Sequence, residues 1–155
     1  MQTQCICDQL NFEGFDGRRV VGAFDGGEIT TDAGALLLRH TDKAIGLFDR
    51  IAPCFIDHRS PGLTVHSLRA MLAQRITAIA LGYDDVDDHD TLRHDPVLGL
   101  VSDRLEPART DCARLDGKST LNRLEHAPQG EPGRYHKIGH DGAAIERLFV
   151  DLFLK

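Results

Sequence analysis

One long apolar helix constrains this chain more than any other segment. After Thr64, the residues Val65, Leu68, Leu72, Ile76 and Ile79 recur at three- and four-residue spacing, the period of one helix face. Ala70, Ala73, Ala78 and Ala80 occupy the other sides, so neighbours can pack closely on more than one face. Thr64 is the expected N-cap. Gly82 offers a left-handed stop, and Tyr83 can cover the helix end. A helix that can be covered all round belongs at the centre of a core, which implies a mainly α fold. Arg69 and Arg75 fall on its shoulders, where an arginine lays its stem on apolar surface and its head against water or a carboxylate. The expected partner is the acidic turn that follows.

The 155 residues suit one helical domain with a real core, and 41% hydrophobic with 27% charged residues is ordinary for a globular chain. The start, MQTQCICDQL, has no basic region followed by an apolar stretch. No run approaches the roughly 20 apolar residues of a membrane span. The expectation is a cytoplasmic chain with no membrane partner. Cys5, Cys7, Cys54 and Cys112 are then expected as thiols rather than as a disulfide scaffold. Cys5 and Cys7 are one residue apart and lack a matching downstream pair, so no structural zinc site is expected.

A formal charge of −6 argues against a domain that coats DNA nonspecifically, because such binding draws most of its affinity from neutralised phosphates. The charge is unevenly spread. From Asp84 to Asp103 there are seven aspartates and one arginine, Arg93, whereas Arg104 to Lys137 holds seven basic and five acidic residues. A nucleic-acid face, if the chain has one, is expected in the second stretch.

At the N-terminus, Arg18 to Phe24 is Val-rich and bounded by Gly17 and Asp25-Gly26-Gly27, which predicts a small β-hairpin within the first 29 residues. Thr31 or Asp32 is the expected cap of a helix through Ala33, Leu36, Leu37 and His40. A second helical piece is expected from Asp42 or Lys43 to about Ile51, with Pro53 stopping it. The segment IDHRSPG, 56–62, reads as a polar loop.

Five aspartates stand between Asp84 and Asp90. Carboxylates there cap and favour a helix start within Asp87 to Asp90, through unpaired N–H donors and the helix dipole. The sharper alternative is a divalent-cation site using Asp84, Asp85, Asp87, Asp88, His89 and Asp90. The spacing lacks the central Gly and distant Glu of a calcium loop. The helix that follows is expected to be interrupted by Pro96. His94 and Asp95 precede that proline without a recognisable nucleophile, which favours a turn over an acid–base pair. Gly117-Lys118-Ser119-Thr120 resembles the end of a phosphate-binding loop, but Cys112 stands where the first glycine is required.

Ser119 to His126 predicts a short helix capped by Ser119 or Thr120, with Leu121 and Leu124 inward and Asn122 and Arg123 outward. Its start can hold a DNA phosphate through backbone N–H groups and Lys118. Residues 127–142, with two prolines and four glycines, read as an exposed connection. Residues 143–155 have helical spacing without a terminating Gly, Pro or polar tail. That amphipathic helix reads as unfinished, as though leading into a further domain.

The ordered blocks Thr31 to Leu38, Asp57-His58-Arg59, Gln74-Arg75, Ala80 to Pro96 and Ser119 to Glu125 resemble the N-terminal part of bacterial insertion-sequence DDE transposases. The resemblance covers nearly the whole chain, and its specificity lies in the order of the blocks and in the long central one. It implies an intact family enzyme with an RNase H-like catalytic domain, in which three carboxylates and two Mg2+ ions carry out strand transfer. It also implies that the first catalytic Asp lies beyond the matched region. None of the aspartates from Asp84 to Asp95 therefore takes a catalytic role, and no cofactor is expected in this chain.

The resulting expectation has three parts: an N-terminal region over 1–126, a connection over 127–142 and the start of a helix over 143–155. Its function would be recognition of element-end DNA or synaptic assembly, without catalysis by this chain alone. The expected DNA contacts are Lys118, Ser119, Asn122 and Arg123, supported by Arg104, Arg109 and Arg114. Two other readings compete. One is a noncatalytic module that associates with itself or with full-length transposase through the last helix. The other is a small metal-dependent hydrolase built on the acidic cluster with His89 or His94.

Overall fold

The fold is described from a computed structural model, over residues 9–15, 17–23, 30–104 and 112–154. It is mainly α with a small N-terminal hairpin. Strands β1 (Gln9–Phe15) and β2 (Arg18–Ala23) pair antiparallel, from Gln9 opposite Ala23 to Phe15 opposite Arg18. Gly17 turns between them at φ 76°, a conformation open to glycine because it has no Cβ. The expected Asp25-Gly26-Gly27 turn lies outside the described residues.

Helix α1 (Ala35–Ile45) starts later than expected, and neither Thr31 nor Asp32 caps it through a side chain. Gly34 stands at the cap, and the Asp32 carbonyl accepts from Ala35 N. The Asp32 carboxylate is instead engaged by the Tyr83 hydroxyl, 3.1 Å from both oxygens. The second helical piece does not begin at Asp42 or Lys43. Gly46 turns left-handed at φ 67° and separates α1 from α2 (Leu47–Ile51). The Asp42 carboxylate accepts from Phe48 N across that break, and it also holds the buried Arg39 at 2.8 Å.

After a one-turn 3-10 segment, β3 (Phe55–Asp57) runs into the start of the segment read as a loop. The central helix α3 (Leu68–Leu81) is capped by Ser67, whose hydroxyl accepts from Ala70 N, and not by Thr64. Thr64 bonds back to the Ser60 carbonyl, and Val65 precedes the helix. Gly82 ends α3 at φ 98°, as the sequence predicted.

Burial on α3 runs without a gap from Ala70 to Arg75 and resumes at Thr77 and Ala78, while Ile79 is exposed. The helix contributes to three apolar clusters. Met71 and Leu72 join Ile51, Leu121, Leu124, Ile138 and Leu148. Ala73 joins Ala35, Phe48 and Val101, and Ala78 joins Leu92, Leu98 and Leu115. Arg75 does meet the acidic turn, but through the carbonyls of Tyr83 and Asp84, and it also pairs with Glu125. Arg69 turns the other way, to Asp49 and Asp103.

Short helices α4 (His89–Leu92) and α5 (Pro96–Val101) follow. Pro96 opens α5 rather than interrupting a helix, since its fixed φ and missing N–H suit a first turn. Asp95 is the cap, with Oδ1 accepting from Val97 N and Leu98 N. Helix α6 (Lys118–Glu125) packs Leu121 and Leu124 inward.

The expected exposed connection over 127–142 is only partly exposed. Ala127 and Ile138 are core residues, and β4 (Ile138–His140) pairs antiparallel with β3, Phe55 opposite His140 and Asp57 opposite Ile138. Sequence reading missed the pairing because both strands have three residues and the partners are some eighty positions apart. Gly139 is required by space. A Cβ there would stand 2.1 Å from the Gly130 carbonyl oxygen, on a segment tied to β4 by hydrogen bonds to and from His140. Helix α7 (Gly142–Phe153) is capped by Asp141 and buries Leu148 against the core.

Candidate nucleic-acid interface

The residues flanking the β3–β4 pair, the loop leading to α3, the end of α4 and the turn into α6 together wall an open cleft of about 770 Å3. His58 N donates to the Lys137 carbonyl at 2.7 Å, so the ladder carries one step past the strands and brings His58, Arg59 and Lys137 to one rim. Arg59 folds back on Asp57 in a bidentate pair, Nε to Oδ1 at 2.9 Å and Nη2 to Oδ2 at 2.8 Å, while Nη1 lies 3.1 Å from Met71 Sδ. Burial pushes Asp57 up, but the hydrogen bonds and charge of Arg59 outweigh it and leave the carboxyl below its usual range.

The opposite wall is the turn Asp116-Gly117 and the first residues of α6. It is fastened to the core by Gln74, whose Oε1 accepts from Asp116 N at 3.1 Å and whose Nε2 donates to the Asp116 carbonyl at 2.8 Å. The same Nε2 lies 2.9 Å from Nδ1 of the fully buried His89. Gly117 admits a close approach, since a Cβ there would meet Arg93 Nη1 at 2.8 Å. Arg93 thereby reaches the cleft from the end of α4.

Two titratable groups in the cleft are displaced from their ordinary behaviour. Burial, then the charges of Arg104, Arg93 and Arg59, lowers His66 to about 4. Burial raises Asp116 to about 6 against the pull of Arg59, Thr120, Arg93 and Arg104. Outside the cleft, burial and then Arg75 lower His89 to about 4, with Glu125 opposing. Among buried carboxyls and imidazoles the charged form is disfavoured, and here burial leads in all three.

The residues expected to contact DNA are only partly brought together. Lys118 turns toward the acidic turn, with Nζ 3.3 Å from Asp87 and 3.4 Å from Asp90, and its N–H is capped by Asp90 Oδ1 at 3.2 Å. The helix start is therefore met by Asp90, and neither Ser119 nor Thr120 is its N-cap. Ser119 is exposed and lines the cleft, while Asn122 and Arg123 are exposed on the outer face of α6. Arg104 is half-buried, with Nη2 donating to the Val65 carbonyl at 3.1 Å. Arg114 is half-buried near Gly99. Arg109 lies outside the described residues. Sequence reading missed Arg59, His66, Arg93, Asp116 and Lys137. The one available signal was Asp57-His58-Arg59, a block of the family resemblance that the composition of 56–62 presented as a loop.

The acidic turn is largely occupied by structural contacts. Asp85 accepts from Asp87 N, Asp87 and Asp90 hold Lys118, and His89 is buried on Gln74. Among the described residues no three His, Cys, Asp or Glu side chains are grouped to hold a metal ion. The carboxylates there do not form the set that a two-metal strand-transfer centre requires, and no metal-dependent step is derived from them. The free thiol of Cys54 is buried, and burial raises it above its usual range.

The family model described as Transposase DDE domain group 1 matches residues 12–155. The chain belongs to that family. No curated protein matches it. No solved structure matches it either.

Proposed function

We propose that this chain serves DNA transposition by holding DNA at the ends of a bacterial insertion sequence, and that it does not itself catalyse strand transfer. The observation that carries the reading is a convergence of charge in an acidic chain. Arg59, Arg93 and Lys137, from segments far apart in sequence, line one cleft beside the exposed Asn122 and Arg123 face of α6. Lys and Arg supply the sequence-independent part of DNA affinity, while an exposed Asn and Arg on a helix can reach base edges. Membership of a transposase family makes DNA the expected partner. The reading places the chain in the cytoplasm, and no described helix is long and apolar enough to cross a membrane.

The test is binding of the purified chain to element-terminal and scrambled DNA across a salt series. Preference for the terminal sequence should persist as salt rises, and Arg123→Gln should lower affinity and reduce the salt slope by about one. Equal binding to both DNAs by a folded chain sinks the reading.

One observation favours a second role in synaptic assembly. Helix α7 and the residue after it expose Phe149, Val150, Phe153 and Leu154. An apolar surface of this kind suits association with another transposase chain. Sedimentation at rising concentration should show self-association that Phe149→Asp abolishes. Leu152 is half-buried, so a substitution there would disturb packing as well. A monomer at every concentration removes self-association from the proposal.

A further inference from the structure

We infer that the interior of the cleft is a binding site for one phosphate group, with Arg93, Arg59 and Lys137 as its cations and His66 and Asp116 as its polar wall. The inference deepens the DNA reading above and rests on it for the source of the phosphate. Three guanidinium groups, from the loop after β3, the end of α4 and the end of α5, all act on both His66 and Asp116. Their compensation is incomplete. Arg59 has Asp57, and Asp90 is shared with Lys118, but among the described residues neither Arg93 nor Arg104 forms an ion pair. Asp116 is a carboxyl that all three face, but it is outnumbered by the cations around it, which leaves a place for an anion.

The second observation is independent of charge counting. His66 is 6% exposed and Asp116 7% exposed, both line the cleft, and each keeps a buried side-chain atom without a hydrogen-bond partner, Nδ1 and Oδ2. Arg93 Nε is in the same condition. Buried polar atoms are nearly always satisfied, and the two unpartnered nitrogens, His66 Nδ1 and Arg93 Nε, beside one opening point to an acceptor that comes from outside, whereas Asp116 Oδ2 is itself an acceptor. A phosphate offers several acceptor oxygens to guanidinium donors and to an N–H of the neutral His66 ring, while Asp116 can donate to it only when protonated. The other carboxylates near the site are Asp90, which lines the cleft and lies 3.4 Å from Lys118 Nζ, and Glu131, 3.7 Å from the His58 ring on the rim. Asp90 is drawn to Lys118, and among the described residues neither Arg93 nor Lys137 forms an ion pair. The cleft is open enough for a strand, so the phosphate can be a backbone diester or the monoester at a 5′ end.

The test follows the His66 imidazole by NMR in the full chain during addition of inorganic phosphate, a 5′-phosphorylated oligonucleotide and its 5′-hydroxyl counterpart. Phosphate should raise the midpoint of His66 titration. Arg93→Gln should weaken phosphate affinity about tenfold or more. Lys137→Gln, at an exposed position, should weaken it by a smaller factor in a chain whose fold is undisturbed. A response to both oligonucleotides assigns the source to the backbone, and a response to the phosphorylated one alone assigns it to the strand end. A silent His66 with all three ligands, or affinity unchanged in folded Arg93→Gln and Lys137→Gln, overturns the site. The two readings fail separately. Loss of DNA binding in Arg123→Gln with a silent His66 removes only the phosphate site. A responsive His66 with no preference for terminal DNA removes only end recognition.

Discussion

Helices α3 and α7 are similar in length and both rich in apolar side chains, yet they stand in opposite relations to the rest of the molecule. Eight residues of α3 are buried, three of them polar, whereas Leu148 alone is buried on α7 while Phe149, Val150 and Phe153 face outward. Apolar content therefore does not decide which helix becomes the core. On α3, alanines let neighbours approach from every side, and Gln74, Arg75 and Thr77 are buried among them. On α7, packing on one face leaves an apolar surface for other uses. The polar residues of α3 also do more than fill space, since Gln74 fixes the wall of the cleft and Arg75 fixes the acidic turn.

The sharpest break in this contrast is Met71→Ala. Met71 is fully buried and lies against Arg59, so truncation should cost about 2–5 kcal/mol of stability in urea unfolding. A loss below about 1 kcal/mol would mean that α3 is not the packed centre. Gln74→Ala comes next, at about 2–3 kcal/mol, because it leaves the Asp116 backbone unpaired in a buried site. Phosphate affinity should fall with it, and a stability loss without an affinity loss would separate core from cleft.

Acidity probes the buried groups around α3. Between about pH 4 and 6, unfolding lets both His66 and His89 take up protons that the fold denies them, while Asp116 releases the one the fold favours. Net uptake is about one proton, so stability should rise with pH across that window by about 1.4 kcal/mol per unit. Asp116→Asn should steepen the rise to about two protons, and a falling profile would contradict the burial of these histidines. The smallest effect is expected on α7. Phe149→Ser should change stability by no more than about 0.5 kcal/mol, because the ring is exposed in the single chain. A larger loss would show that this face is covered within the chain.

What was legible in the sequence was local. Gly82 as a stop, the inward Leu121 and Leu124 and the outward Asn122 and Arg123 follow from helix period and cap chemistry. Period alone also set Ile79 on the buried face, where the structure exposes it, because all-round packing removes the information that a single stripe carries. The cleft was hidden for a different reason. Arg59, Arg93 and Lys137 meet through a pairing of two three-residue strands and a glycine contact, neither of which has a sequence period. Lys118 was read as a phosphate contact at the start of α6, but its direction is set by Asp87 and Asp90, some thirty residues earlier.

The amide of Gln74 grips the Asp116 backbone by both its N–H and its carbonyl, much as a neighbouring strand would. The turn before α6 is thereby held in shape before anything arrives. A binding wall that had to order on contact would lose about 0.5–1.5 kcal/mol of affinity for each side chain immobilised. A wall already anchored to the central helix avoids most of that entropy loss, so the cleft can act as a rigid receptor although it is built from loops.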